Sequence, residues 1–161
     1  MNMTHYMGLL ADNQPWNLLI FMAAVVILAE TIAITELGIL FTGSYNGRLR
    51  KVNKISSIIA GIYFSGIFVY LMKNAWLPLT LNGGWHGWID FVAVTFYLLG
   101  IVPLLGMALL DMGIVMKNSP ERRKMKLHVS FVGLFLIVAH VAMIFGMLDP
   151  TLGGGHDMHN M

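Results

Sequence analysis

A chain of 161 residues that is 57% hydrophobic and 11% charged, with a mean hydropathy of +0.73, is too apolar for a water-soluble domain, where about a quarter of residues carry charge. The absence of cysteine excludes disulfides, thiolate metal sites and iron–sulfur clusters, so any metal must bind through His, Met, Asp or Glu. The formal charge of +2 does not point to a nucleic-acid partner, because nine of the ten Lys and Arg fall in two short connections between apolar runs.

Residues 1–14 form a short N-terminal segment without Lys or Arg, beginning Met-Asn-Met-Thr-His-Tyr-Met. A secretory signal has a basic n-region and an apolar core of about 7–15 residues, so the much longer run that follows reads as a mature span. Apolar runs recur at 16–41, 55–72, 88–116 and 127–148. Each is near or above the roughly 20 residues that cross about 30 Å of hydrocarbon. No strand-like alternation persists, and inside lipid the backbone must satisfy itself, so the runs are expected to be helices. The expected fold is an all-α membrane protein with a transmembrane domain at 15–148, its spans at about 15–43, 55–73, 87–116 and 127–148, and a tail at 149–161.

Arg48, Arg50, Lys51 and Lys54 lie between the first two spans, and Lys117, Arg122, Arg123, Lys124 and Lys126 between the last two; only Lys73 falls elsewhere. The positive-inside rule puts both basic loops in the cytoplasm and the N-terminus, the 73–87 connection and the C-terminus outside. Trp16, Trp76, Trp85 and Trp88 agree, all falling at the outer boundary where tryptophans form interfacial belts. Short connections predict a four-helix up-down-up-down bundle, and the clean charge bias suits a bacterial inner membrane. Ser57, Gly61, Gly38 and Ala33 are small enough for close helix contacts, and Pro103, between Gly100 and Gly106, predicts a bend in the third span.

Ionisable groups inside spans cost a few kcal/mol on insertion scales and tend to face a partner or a cavity. Glu30, Glu36, Asp111 and His140 qualify. Glu30 and His140 both lie roughly 20 Å from the cytoplasmic ends of their spans at 1.5 Å per residue, so they are expected to meet near mid-membrane. Such a pair relays protons, holds a metal, or neutralises itself as a structural hydrogen bond. Glu36 and Asp111 sit nearer the cytoplasm, at about 10 Å, as buried acids within reach of a long neighbour such as Lys54 or Arg122.

His140, Met143 and Met147 follow at i, i+3 and i+7 on one helical face, a ladder of imidazole and thioether that suits copper. Met143-Ile-Phe-Gly-Met147 resembles the Met-x-x-x-Met of eukaryotic high-affinity copper permeases, a likeness of five residues to proteins with three spans. Methionine is also an ordinary apolar filler. Outside, His5, His86 and Asp90, with His156, Met158 and His159 of the tail, are candidates for an outer metal or mouth site; the alternatives are an interfacial polar cap and an inert polar tail.

Three functions follow from these residues. One is a small permease or metal-handling protein for a soft ion, most simply copper, with an intramembrane Glu30–His140 site. Four helices barely enclose a path, so it needs a homo-oligomer or a membrane partner subunit. The second is a b-type haem electron carrier or anchor subunit; no histidine lies at the level of His140, which disfavours a bis-His site, so the iron is held either with His86 brought nearer by a bent third span or by a single axial His140 with Glu30 or a Met opposite. The third is a structural or regulatory membrane subunit whose acids serve assembly. No phosphate loop, Cys–His pair or nucleophile elbow supports an enzyme.

Overall fold

The structure, a computed structural model, describes residues 3–153, and among these it is helical with no strand. A short helix α1 (His5–Ala11) is capped by Thr4, whose hydroxyl accepts the Met7 N–H. Four helices long and apolar enough to cross a membrane follow: α2 (Trp16–Thr42), α3 (Arg48–Asn82), α4 (Trp88–Asp111) and α5 (Glu121–Met147). A 3₁₀ turn at Pro150–Gly153 closes the described chain.

The helix ends differ from those expected, for local reasons. Helix α3 begins at Arg48, because Arg, Leu and Lys are good helix formers and the basic run simply joins the span. It then continues past Lys73 to Asn82, where Gly83 at φ +64° supplies a left-handed cap. Its 35 residues measure about 52 Å, well beyond the hydrocarbon thickness. Much of the expected 73–87 connection is therefore helix, reached through a π-turn at Met72–Trp76 that ends two residues before Pro78, a residue with no N–H to give the preceding turn. Helix α4 stops at Asp111 rather than 116, and the chain turns away through Gly113 (φ +76°) and Met116 (φ +55°). Its break falls at Gly100, whose N–H bonds the Tyr97 carbonyl at 3.1 Å, one turn before Pro103 leaves a carbonyl without its donor.

Helix α3 packs along both α2 and α4, while α5 packs chiefly on the first half of α4; α2 and α5 touch only sparsely. Helix α1 lies across the start of α4 and the end of α5, where the Thr4 hydroxyl donates to the Gly146 carbonyl at 2.7 Å. Polarity is inverted relative to a soluble fold. Ile27, Ile34, Phe41, Ile62, Ile137 and Ile144 face outward, whereas Glu36, Arg50, Asn53, Asp90, Asp111 and His128 are buried. That distribution fits a bilayer as solvent.

The tightest helix contact is at Gly61, where an added Cβ would collide with the Ala108 methyl and the Leu104 carbonyl. Gly61→Val is expected to lower unfolding stability by about 1–3 kcal/mol through overpacking. Gly66→Ala, with nothing within 4 Å of the added carbon, is expected to stay within about 1 kcal/mol of the parent in either direction. Denaturant unfolding in detergent, followed by circular dichroism, reads both.

Candidate functional site

At one end of the bundle, Gly87 precedes α4 at φ +147°, a conformation that glycine adopts without strain, with the Pro150 carbonyl 3.0 Å from where a Cβ would sit. This turn places His86 and Asp90 one helical turn apart. Asp90 has no exposed surface and sits in the first turn of α4, where the helix dipole favours a carboxylate. Its Oδ1 accepts the His5 N–H at 2.7 Å, and its Oδ2 accepts the His86 N–H at 3.2 Å and faces His5 Nδ1 at 2.5 Å. His86 Nδ1 lies 3.2 Å from the Met3 carbonyl, and the two imidazoles stack with centroids 4.2 Å apart, 25° from parallel. Trp85 meets His5 edge-on. Donor atoms of His5, His86 and Asp90 all lie within 4.8 Å of one another.

Chemistry assigns the tautomers. An ionised carboxylate and a carbonyl can only accept, so both Nδ1 atoms carry hydrogen. In the neutral rings each Nε2 therefore keeps a free lone pair. His86 is exposed and His5 partly so, which leaves those lone pairs open to a ligand.

Midway along the bundle, a cavity of about 330 Å³ opens between α2 and α5, walled by Tyr6, Phe21, Phe64, Tyr97 and Phe135. Burial pushes the Tyr6 phenol above its ordinary range. Glu30, His140 and Met143 also line this cavity. The direct Glu30–His140 hydrogen bond expected from equal depth is not formed. Both residues are exposed, the His140 Nδ1–H donates to the Leu136 carbonyl at 2.6 Å, and among the described residues Glu30 makes no hydrogen bond or ion pair. The sparse contact between α2 and α5 keeps their opposing side chains on either side of an opening. Met147 is 64% exposed and does not line the cavity. His86, a second haem ligand if it reached His140, is instead engaged with Met3, His5 and Asp90. His156, Met158 and His159 lie outside the described residues.

At the opposite end, every long helix contributes to one buried polar network. Asp111 of α4 accepts from Arg50 Nη2 on α3 at 2.5 Å and from the Ser57 hydroxyl. Arg50 Nη1 donates to Asn53 Oδ1 at 2.9 Å, and Asn53 Nδ2 donates to the Ile32 carbonyl at 3.0 Å and to the Thr35 hydroxyl at 3.1 Å on α2. His128 of α5 sits between two carboxylates, with Nδ1 3.0 Å from Glu36 Oε1 and Nε2 3.2 Å from Asp111 Oδ2. The second approach is close enough for charge attraction but poorly aligned, so Nε2, like Glu36 Oε2, is buried without a hydrogen-bond partner. The partners of the buried acids are thus His128 and Arg50, not Lys54 or Arg122. A polar vestibule of about 280 Å³, lined by Arg50, Lys51, Lys54, Glu121 and Lys124, reaches Asp111 at its floor.

A profile described as a family of unknown function, DUF6803, matches residues 1–161. The chain belongs to the DUF6803 family. Comparison with curated proteins and with solved structures gives no match.

Asn53, Ser57 and the His128 bridge of this DUF6803 chain were not anticipated as site residues. Their signal was present as the spacing 50, 53, 57 on α3, one face of a helix. Starting the second span at 55 placed Arg50 and Asn53 in a loop and hid that periodicity. Asp111→Ala takes the close buried carboxylate from Arg50 and one of two from His128, and is expected to cost on the order of 3–5 kcal/mol. Lys54→Ala, exposed at the vestibule, is expected to change stability by less than about 0.5 kcal/mol. Comparing their unfolding midpoints with that of the parent checks both.

Proposed function

We propose that this protein is a small membrane permease or metal-handling protein for a transition-metal ion, with the His5 and His86 imidazoles as its outer capture ligands. One observation carries the reading: Asp90 and the Met3 carbonyl hold the two Nδ1 protons, which leaves two Nε2 lone pairs on stacked, accessible rings. A carboxylate behind a ligating histidine is the usual support of a metal site, fixing ring orientation and raising basicity. Asp90 already accepts from two backbone amides, so it serves as the orienting group rather than as a direct ligand.

Copper is the ion that suits both the outer imidazoles and the His140–Met143 pair, since imidazole accepts zinc, copper and nickel while a thioether favours Cu(I). Glu30 and His140, on the two walls of the cavity, are the proposed intramembrane station. In this reading the helices form an up-down-up-down bundle with the N- and C-termini on the outer side and the basic loops in the cytoplasm of a bacterial inner membrane. The gathering of α1, the start of α4 and the end of α5 at the end carrying Trp85 and Trp88 supports that arrangement. A second copy or a partner subunit closes the opening between α2 and α5.

The test is Cu²⁺ binding to the full chain in detergent, by elemental analysis and calorimetry. Wild type is expected to bind about one equivalent at the outer site. Asp90→Asn is expected to weaken that binding about 10–100-fold and the double variant His5→Ala/His86→Ala to abolish it. Removal of residues 154–161 is expected to leave it in place. Wild-type affinity in the double variant overturns the reading, and a Soret band that shifts on reduction selects a haem carrier instead.

A further inference from the structure

The buried network contains more acceptor capacity than assembly requires. Glu36 is 3% exposed and His128 1%, yet Glu36 Oε2 and His128 Nε2 have no hydrogen-bond partner. A network built only for stability satisfies its members, because an unpaired buried polar atom has given up its hydrogen bond to water for nothing. Around His128 the polar atoms form a continuous line, Asp111 Oδ2, His128 Nε2, His128 Nδ1, Glu36 Oε1, with approaches of 3.2 Å and 3.0 Å on either side of the ring; the unpaired Nε2 lies within it, and the unpaired Oε2 belongs to the carboxylate at its Glu36 end. The charged groups facing His128 are Glu36 from α2 and Asp111 from α4, Asp111 is in turn held by Arg50 from α3, and Glu121 and Lys124 stand on the helix of His128 at the vestibule.

The geometry points to a proton-loading site in which Asp111 and His128 pass a proton from the vestibule to Glu36. The proton leaves vestibule water for Asp111, then forms an N–H bond at His128 Nε2. The Nδ1–H of the resulting imidazolium breaks toward Glu36 Oε1, giving a neutral carboxyl and the Nε2–H tautomer of His128. The sequence reverses when the proton is released. Free Oε2 gives the Glu36 carboxyl room to carry its hydrogen on either oxygen. Arg50 is the cover over the entrance: the same Nη2 lies 2.5 Å from Asp111 Oδ1 and 3.5 Å from Glu121 Oε2. A small swing toward Glu121 uncovers Asp111 to the vestibule. No metal enters any of these steps, so the site stands apart from the outer imidazoles.

Infrared spectroscopy of the full chain in lipid vesicles, without added metal, tests this. Lowering the pH is expected to raise a protonated-carboxyl band that is missing in Glu36→Gln. In His128→Gln the hydrogen–deuterium exchange of that band is expected to slow at least about tenfold, since the relay atom is gone. The wild type supplies a second reading that needs no His128 variant. The ¹⁵N signals of His128, identified through space from the Glu36 and Asp111 carboxyl carbons, are expected to change protonation pattern between about pH 5 and about pH 9. No band dependent on Glu36, a His128 signal fixed across that range, or unchanged exchange in a folded His128→Gln protein would each overturn the proposal.

Discussion

In hydrocarbon, two apolar helix faces gain nothing from meeting that lipid tails do not already offer, so close packing and buried polar contacts must hold a small bundle together. Here that role falls to the Asp111 carboxylate. It receives Arg50 and Ser57 from α3 and faces His128 of α5, while Arg50 extends through Asn53 to the backbone of α2 and His128 extends to Glu36. With His128 protonated, Glu36, Asp111, Arg50 and His128 sum to zero charge. A neutral cluster avoids the several kcal/mol that a lone buried ion costs. The small residues complement it one level further in, where Gly61 lets α3 approach α4 to backbone distance.

Long apolar runs are legible in a sequence because lipid imposes one length and one composition on every span, and four such runs became four such helices. Their ends were less legible. Hydropathy marks where a helix enters lipid and not where it stops hydrogen-bonding, so α3 extended at both ends through Arg48 and Asn82. The buried acids Glu36 and Asp111 could be found from composition alone, since an acid in an apolar run demands an explanation. Their partners depended on rotation of one helix against another. The expectation that Glu30 and His140 meet used depth alone, and depth says nothing of the gap between α2 and α5.

The grouping of His5, His86 and Asp90 shows the opposite case. Residues 86 and 90 are one turn apart on any helix, so their pairing follows from the chain. The arrival of His5, far away in sequence, follows from its own N–H, an orphan donor at the start of α1 that Asp90 accepts, and from Thr4 anchoring on Gly146. The two ends of the bundle consequently use the same residue types differently. At one end a buried carboxylate holds two accessible imidazoles, and at the other a buried imidazole joins two carboxylates.

Between these ends lie Glu30 and His140. Both are exposed on helices that barely touch, beside a cavity walled by aromatic rings. An ionised side chain set in hydrocarbon costs about 2.5–3.5 kcal/mol on insertion scales. His140 lowers its own cost by giving its Nδ1–H to Leu136, but that bond leaves its Nε2 unpaired, and Glu30 has no local donor to use. A group that offset this cost would supply a hydrogen-bond donor or a cation to Glu30 and a donor or Lewis acid to His140.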